Sequence, residues 1–179
     1  GKETTMPRSV LVTYATRYGS TQEVAEAIAK TLGDSGLTVD FQPMRNVRGL
    51  DQYGAVVLGA PLYMFHWHKD AIHFLARHRE ALATRPVAIF ALGPLHDDEK
   101  EFHDVREQLD KELAAFSWLT PKAIEIVGGK FDPEKLTFPH NLIPALKHMP
   151  ASDIRDWTKI RGWAERLAHE FAPELASRS

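Results

Sequence analysis

The sequence predicts an α/β fold: a doubly wound parallel sheet of five strands, with helices packed on both faces. Two observations carry that prediction. Short apolar, β-branched runs alternate with longer stretches of helical periodicity over most of the chain. The central runs are apolar throughout rather than every second residue, as strands buried on both faces must be. Parallel neighbours of this kind connect by right-handed crossovers.

Each element follows in order. Residues 10–14 read as a buried strand and 21–32 as a helix, with Val24, Ile28 and Leu32 on one face and Gly33 at its end. Residues 37–43 form a second strand, with Val39 and Phe41 alternating against Thr38 and Asp40. The run Ala55-Val56-Val57-Leu58-Gly59 is a central strand, and a helix over about 69–83 carries Ile72, Leu75 and Leu82 inward. A strand at 86–92 precedes a helix at about 99–116, and 123–127 makes the fifth strand. The last helix starts near Asp153 or Asp156 and presents Trp157, Ile160, Trp163, Leu167 and Phe171 as one stripe.

Composition narrows the function. A length of 179 residues with 44% hydrophobic side chains supports a single domain with a sizeable core. The domain is read as 6–173, with 174–179 a tail and 1–5 an expression remnant before a natural start at Met6. A net charge of −2 carries no nucleic-acid signature. No apolar run approaches the roughly 20 residues that span a bilayer, and no secretory leader is expected. The absence of cysteine removes disulfides, thiolate catalysis and Cys-ligated metals. Redox chemistry, if present, would need an organic cofactor. The expected location is cytoplasmic.

The most informative segment follows the first strand: Ala15-Thr16-Arg17-Tyr18-Gly19-Ser20-Thr21. A strand ending in hydroxyls and glycine, then opening a helix, builds an anion site, because the first helical amides lack acceptors and sit at the positive dipole end. Thr16, Ser20 and Thr21 can each donate to phosphate oxygens, and Gly19 permits positive φ. The competing reading is an ordinary helix start, with Ser20-x-x-Glu23 as a capping box. The spacing matches neither a nucleotide-triphosphate loop nor a dinucleotide fingerprint.

This loop resembles the phosphate loop of flavodoxins, Ser/Thr-x-Thr-Gly-x-Thr, with Tyr18 in place of the usual middle hydroxyl residue. The resemblance implies FMN as cofactor and a strand order of 2-1-3-4-5, with the crevice formed by the loops after strands 1, 3 and 4. Thr16, Arg17, Tyr18, Gly19, Ser20 and Thr21 then take the phosphate.

The loop after the third strand is Gly59-Ala60-Pro61-Leu62-Tyr63-Met64-Phe65-His66-Trp67-His68. Its aromatic and thioether side chains suit the faces of a flat, polarisable isoalloxazine ring. Pro61, Leu62, Tyr63 and Met64 are assigned to that ring, and Phe65 to holding the next helix on the core. The turn Gly93-Pro94-Leu95-His96 is assigned to the ring's polar edge, with Asp98 capping the following helix. His66 and His68 flank Trp67 without a recognised ligand spacing, so no metal is expected. Partial burial beside a ring or substrate contact suits them better.

Within the flavodoxin-like FMN-binding family, the chain resembles the branch that includes quinone-dependent protoporphyrinogen IX dehydrogenase. The residues that carry this are 15–21, Gly59-Ala60 followed by His66-Trp67-His68, Val127-Gly128-Gly129-Lys130 and Asp156-Trp157. That branch usually has a basic residue at the place of Tyr63 and glycine at the place of Phe65. The resemblance implies a flavin-dependent dehydrogenase or quinone-linked oxidoreductase moving two electrons to a small acceptor. The alternative is an electron carrier docking to a protein partner, for which −2 is a weak charge. The absence of Gly or Asn between Pro61 and Asp70 favours two-electron chemistry, because a peptide flip into the left-handed region costs a non-glycine residue about 1–2 kcal/mol.

One stretch breaks the βα alternation. Residues 130–150 hold Pro133, Pro139, Pro144 and Pro150 among apolar side chains, a density that forbids long regular structure. The segment reads as an ordered excursion with a single helical turn near 143–148. It either packs at the crevice mouth, forms a surface for a homodimer or peripheral membrane contact, or simply covers the last strand.

Overall fold

The computed structural model describes residues 8–176, so the expectations for 1–5, for Met6 and for the last three residues lie outside the described residues. Strands β1 (Ser9–Tyr14), β2 (Val39–Pro43), β3 (Tyr53–Tyr63), β5 (Val87–Leu92) and β6 (Ala123–Val127) form a parallel sheet in the order β2-β1-β3-β5-β6. Numbered among themselves, these five run 2-1-3-4-5, as the resemblance implies. A two-residue strand β4 (His66–Trp67) pairs antiparallel with the end of β3.

Helices cover both faces. On one, α1 (Ser20–Asp34) and α6 (Trp157–Ala176) bury Val24, Ile28 and Leu32 and Ile160, Trp163, Leu167 and Phe171 against Val10, Val12 and Val57. On the other, α2 (Lys69–Arg77), α3 (Arg79–Ala83) and α4 (Glu99–Leu113) place Phe74, Leu75, Leu82 and Leu109 on Leu11, Leu58 and Ile89. Alternate residues of the central strands thus feed two cores, which is why those strands read as unbroken apolar runs.

The structure corrects several boundaries. Helix α1 does not stop at Gly33: it runs to Asp34, and Gly36 supplies the left-handed turn at φ 97°. The Leu37 N–H donates to the Leu32 carbonyl (3.2 Å) and the Gly36 N–H to the Gly33 carbonyl (3.0 Å), the paired bonds of a Schellman end. The helix expected over 69–83 is two, broken at His78, whose ring is buried against Phe74 at 4.5 Å between centroids. Helix α6 passes through Pro173 to Ala176, with Leu175 buried against the core.

The largest correction concerns the segment after Gly59. It is not a loop: β3 continues to Tyr63 and turns back on itself through Met64 and Phe65. Both turn residues have positive φ, 48° and 69°, the pattern of a two-residue type I′ hairpin that normally uses Asn-Gly. Phe65 therefore points away from the core and is 72% exposed, contrary to its assigned role. Trp67 does the anchoring: it is buried, its indole N–H donates to the Ala60 carbonyl (2.9 Å), and its backbone N–H donates to Glu112 (2.7 Å).

Residues 130–150 contain β7 (Lys130–Phe131), short 3₁₀ turns at Pro133–Lys135 and His140–Leu142, and one turn of helix, α5 (Pro144–Lys147). The segment returns through β8 (Ser152–Asp153), which pairs antiparallel with β7 and leads into α6. It is a strap with both feet beside the end of β6. Among the described residues no helix is long and apolar enough to cross a membrane.

Candidate functional site

The loop 15–21 is shaped by its own backbone. Gly19 precedes α1 at φ 93°, where a side chain would be strained, and its N–H donates to Thr16 Oγ1 (2.9 Å). No side chain caps α1. Ser20 lies inside the first turn rather than at the cap, and Glu23 turns away to pair with Arg155 (2.9 Å). The capping-box reading is overturned. The first amides of α1 stay without a side-chain acceptor at the positive end of a 15-residue helix.

Thr21, in that first turn, is fully buried, and its hydroxyl has no hydrogen-bond partner. A buried hydroxyl left unpaired costs about 1–3 kcal/mol, so its natural complement is an oxygen supplied by a ligand. Uncapped amides, a left-handed glycine and an orphaned hydroxyl fit a phosphate.

From Ser20 the surface falls into two adjoining hollows that share Ser20, Tyr63, Lys130 and Phe131. One, about 220 Å³, runs between Pro61–Met64 on one side and Leu92, Gly93 and Leu95 on the other. The other, about 190 Å³, opens beside Tyr18 and Gly19. Burial pushes the Tyr63 phenol up to about 12, so it stays neutral there.

The strap closes this crevice from above. Arg17 reaches the Phe138 carbonyl (2.9 Å), and its Nε donates to the Tyr18 hydroxyl (3.1 Å). The Tyr18 hydroxyl also hydrogen-bonds with His140 Nδ1 (2.8 Å), as donor when that nitrogen is unprotonated. His140 stacks on Tyr63 with centroids 5.3 Å apart and planes 19° apart. Burial, with the nearby Arg17 charge, lowers the His140 pKa below the usual imidazole range, which keeps Nδ1 free to accept.

The structure thus gathers Thr16, Gly19, Ser20 and Thr21 at the helix start, and Pro61, Leu62, Tyr63, Met64, Gly93 and Leu95 along the cleft. The side chains of Arg17 and Tyr18 are turned to the strap. Pro94 is buried behind the cleft, its carbonyl accepting from the Gly129 N–H (2.6 Å). His96 is exposed and held to Glu101 by its backbone N–H (2.8 Å) and its ring (3.2 Å), off the cleft wall. His66 and His68 have structural duties: the first approaches Glu112 at 3.4 Å, the second caps α2 through Nδ1 (3.0 Å).

Sequence reasoning missed Lys130, Phe131, Leu146 and His140 as crevice residues. Gly129-Lys130 left a trace as part of a motif, and the crevice mouth is one of the places expected for residues 130–150, without any of these side chains being assigned to the site. The others reach the site by the strap's path, which prolines announce but do not direct.

Comparison with known proteins agrees with this geometry. A family model described as a flavodoxin domain matches residues 11–153. The protoporphyrinogen IX dehydrogenase [quinone] of Escherichia coli (strain K12) is 24% identical over 170 residues, 89% of this chain and 94% of that protein. Among solved structures, the Streptococcus pneumonia TIGR4 flavodoxin superposes with a TM-score of 0.56 at 16% identity, over 93% of this chain and 99% of that one. The rubredoxin oxygen:oxidoreductase of Desulfovibrio gigas gives 0.59 at 16% identity over 94% of this chain, but that match spans only 37% of its length. FMN is the cofactor of flavodoxins, and the residues at the start of α1 fit its phosphate. With sheet order, phosphate loop and family model in agreement, the chain belongs to the flavodoxin-domain family.

Proposed function

We propose that this protein is an FMN-dependent oxidoreductase that delivers two electrons to a quinone or another small acceptor, with protoporphyrinogen oxidation among its candidate activities. The observation that carries the cofactor assignment is the uncapped start of α1 with the buried, unpartnered Thr21 hydroxyl. Thr16, Gly19, Ser20 and Thr21 would hold the phosphate, and the Pro61–Met64 and Gly93–Leu95 walls would hold the ring. Bound there, FMN supplies the electron chemistry, while this chain's residues bind, orient and limit solvent.

The two-electron reading rests on the hairpin. Met64 and Phe65 already occupy the left-handed region, so its steric cost to a non-glycine residue does not bar that backbone here. Trp67, through Ala60 and Glu112, pins the base of the hairpin, which supports a turn of fixed conformation. The reading carries the cytoplasmic location expected from the sequence. A second reading, an electron carrier docking to a protein, is favoured by four exposed apolar side chains: Met64, Phe65, Phe138 and Leu142.

The experiment is reconstitution with FMN, followed by anaerobic reduction and turnover with a panel of quinones. Conversion from oxidised to fully reduced flavin without long-wavelength absorption at half reduction, together with quinone turnover, is the expected result. Strong long-wavelength absorption and no quinone turnover would favour the carrier.

A further inference from the structure

Arg155 sits just before α6, at the inner foot of the strap, with a side chain only 4% exposed. Its guanidinium is held on all sides. It meets Asp153 at 2.8 Å and Glu23 at 2.9 Å, donates to the Ser20 carbonyl at 3.3 Å, and lies 4.8 Å from the Trp157 ring centre. Two of these partners belong to the first turn of α1. Glu23 also lines the hollow that includes Gly19 and Ser20.

That placement poses an electrostatic problem. A carboxylate in the first helical turn is favourable for an empty helix, because it meets the positive dipole end. For a helix whose start receives a phosphate, the same carboxylate repels the ligand. Arg155 answers this by pairing with Glu23, and its bond to the Ser20 carbonyl fixes the peptide whose N–H belongs to Thr21.

We propose that Arg155 is a positioning residue for the flavin phosphate: shared between Asp153 and Glu23, it offsets part of the Glu23 charge beside the phosphate cradle and holds the Ser20–Thr21 peptide in its binding orientation. The assignment rests on the FMN reading above. It predicts a dependence on ligand charge, which a merely structural tie between strap and α1 would not produce. Riboflavin has the same ring and side chain without the phosphate, so it separates the two roles.

The test is equilibrium titration of the full-length apoprotein with FMN and with riboflavin, followed by flavin fluorescence. Arg155→Met should weaken FMN by about tenfold and leave riboflavin within about twofold, in line with a charge effect at a helix terminus. The double variant Arg155→Met/Glu23→Gln should recover the charge-dependent part of the FMN affinity. Glu23→Gln alone, an exposed and conservative change, should tighten FMN a few-fold without affecting riboflavin. That arm keeps the idea exposed to failure even if Arg155→Met does not fold. Equal losses for FMN and riboflavin, no recovery in the double variant, or weaker FMN binding by Glu23→Gln would each overturn the proposal. Failure of the wild type to bind FMN at all would instead overturn the reading on which it rests.

Discussion

At the α1 end of the crevice, the groups that fit a phosphate come from one short stretch, Thr16 to Thr21, and from the helix that follows it. At the mouth, the walls come from residues as distant as Tyr63 and His140, stacked at 5.3 Å. The first region is made by local backbone rules: a strand end, a left-handed glycine and an uncapped helix. The second is made by tertiary contact between a strained hairpin and a proline-rich strap. The difference teaches where each region can change. In the cradle, Gly19 holds a left-handed backbone and Thr16 accepts its N–H, so those two positions tolerate little change. The mouth can be altered piecemeal while the fold stands.

The comparison can be broken most severely at Thr21. A valine there keeps the shape and removes the unpaired hydroxyl. The apoprotein should become more stable by about 1 kcal/mol or more, because a buried orphan is lost. FMN affinity should fall by about 1.5–3 kcal/mol, the usual value of a hydrogen bond to a charged group, and adding Thr16→Ala should deepen the loss. Thermal unfolding of the apoprotein and fluorescence titration with FMN measure the two opposed effects. A variant that lost stability while keeping FMN affinity would remove the hydroxyl from the site.

The mouth gives the next largest effect. Met64→Asn with Phe65→Gly supplies the residues that a type I′ turn prefers, relieving about 1–2 kcal/mol per strained residue, partly offset by the entropy of glycine. Denaturant unfolding should show a net gain of about 1 kcal/mol, while FMN affinity should fall modestly because Met64 lines the cleft proposed for the ring. A loss of stability would mean that the exposed Met64 and Phe65 side chains support the fold.

The smallest effect is a pH dependence of the strap. Burial and Arg17 lower the His140 pKa, so the undocked segment binds a proton more readily than the docked one. Docking is fully favourable above the free imidazole value of about 6.5 and weakens as pH falls from there toward the lower docked value. Protonated His140 can no longer accept from Tyr18. Proteolysis within residues 133–150 should be faster at about pH 5.5 than at about pH 7.5, and His140→Phe, which keeps a ring on Tyr63, should flatten that difference. His68 and His78 are also lowered by burial, so global unfolding shares the same direction and has to be measured separately.

These tests divide along the line between what the sequence shows and what it hides. The five main strands and the 15–21 loop were legible, because each depends on residues close together in the chain, whereas the strand order came only from the family resemblance. The hairpin at Met64–Phe65 was not: no Asn or Gly marks the turn, and Trp67 rather than turn chemistry holds it closed. Glu23 shows the same limit at one residue. Its spacing from Ser20 fits a capping box, and only the arrival of Arg155, distant in sequence, takes it elsewhere. Of the turn Gly93–His96, the side chains of Pro94 and His96 lie off the cleft wall for a related reason. A turn after a strand places its residues near a crevice, but its own hydrogen bonds, to Gly129 and Glu101, decide which side chains face it.

The central claim is that the start of α1 receives the phosphate of FMN, and a crystal structure of the FMN complex tests it most directly. The account predicts phosphate oxygens within hydrogen-bonding distance of Thr21 Oγ1 and of the first backbone amides of α1, with the Glu23–Arg155 pair intact. A phosphate bound elsewhere, with the Thr21 hydroxyl still unpartnered, would contradict it.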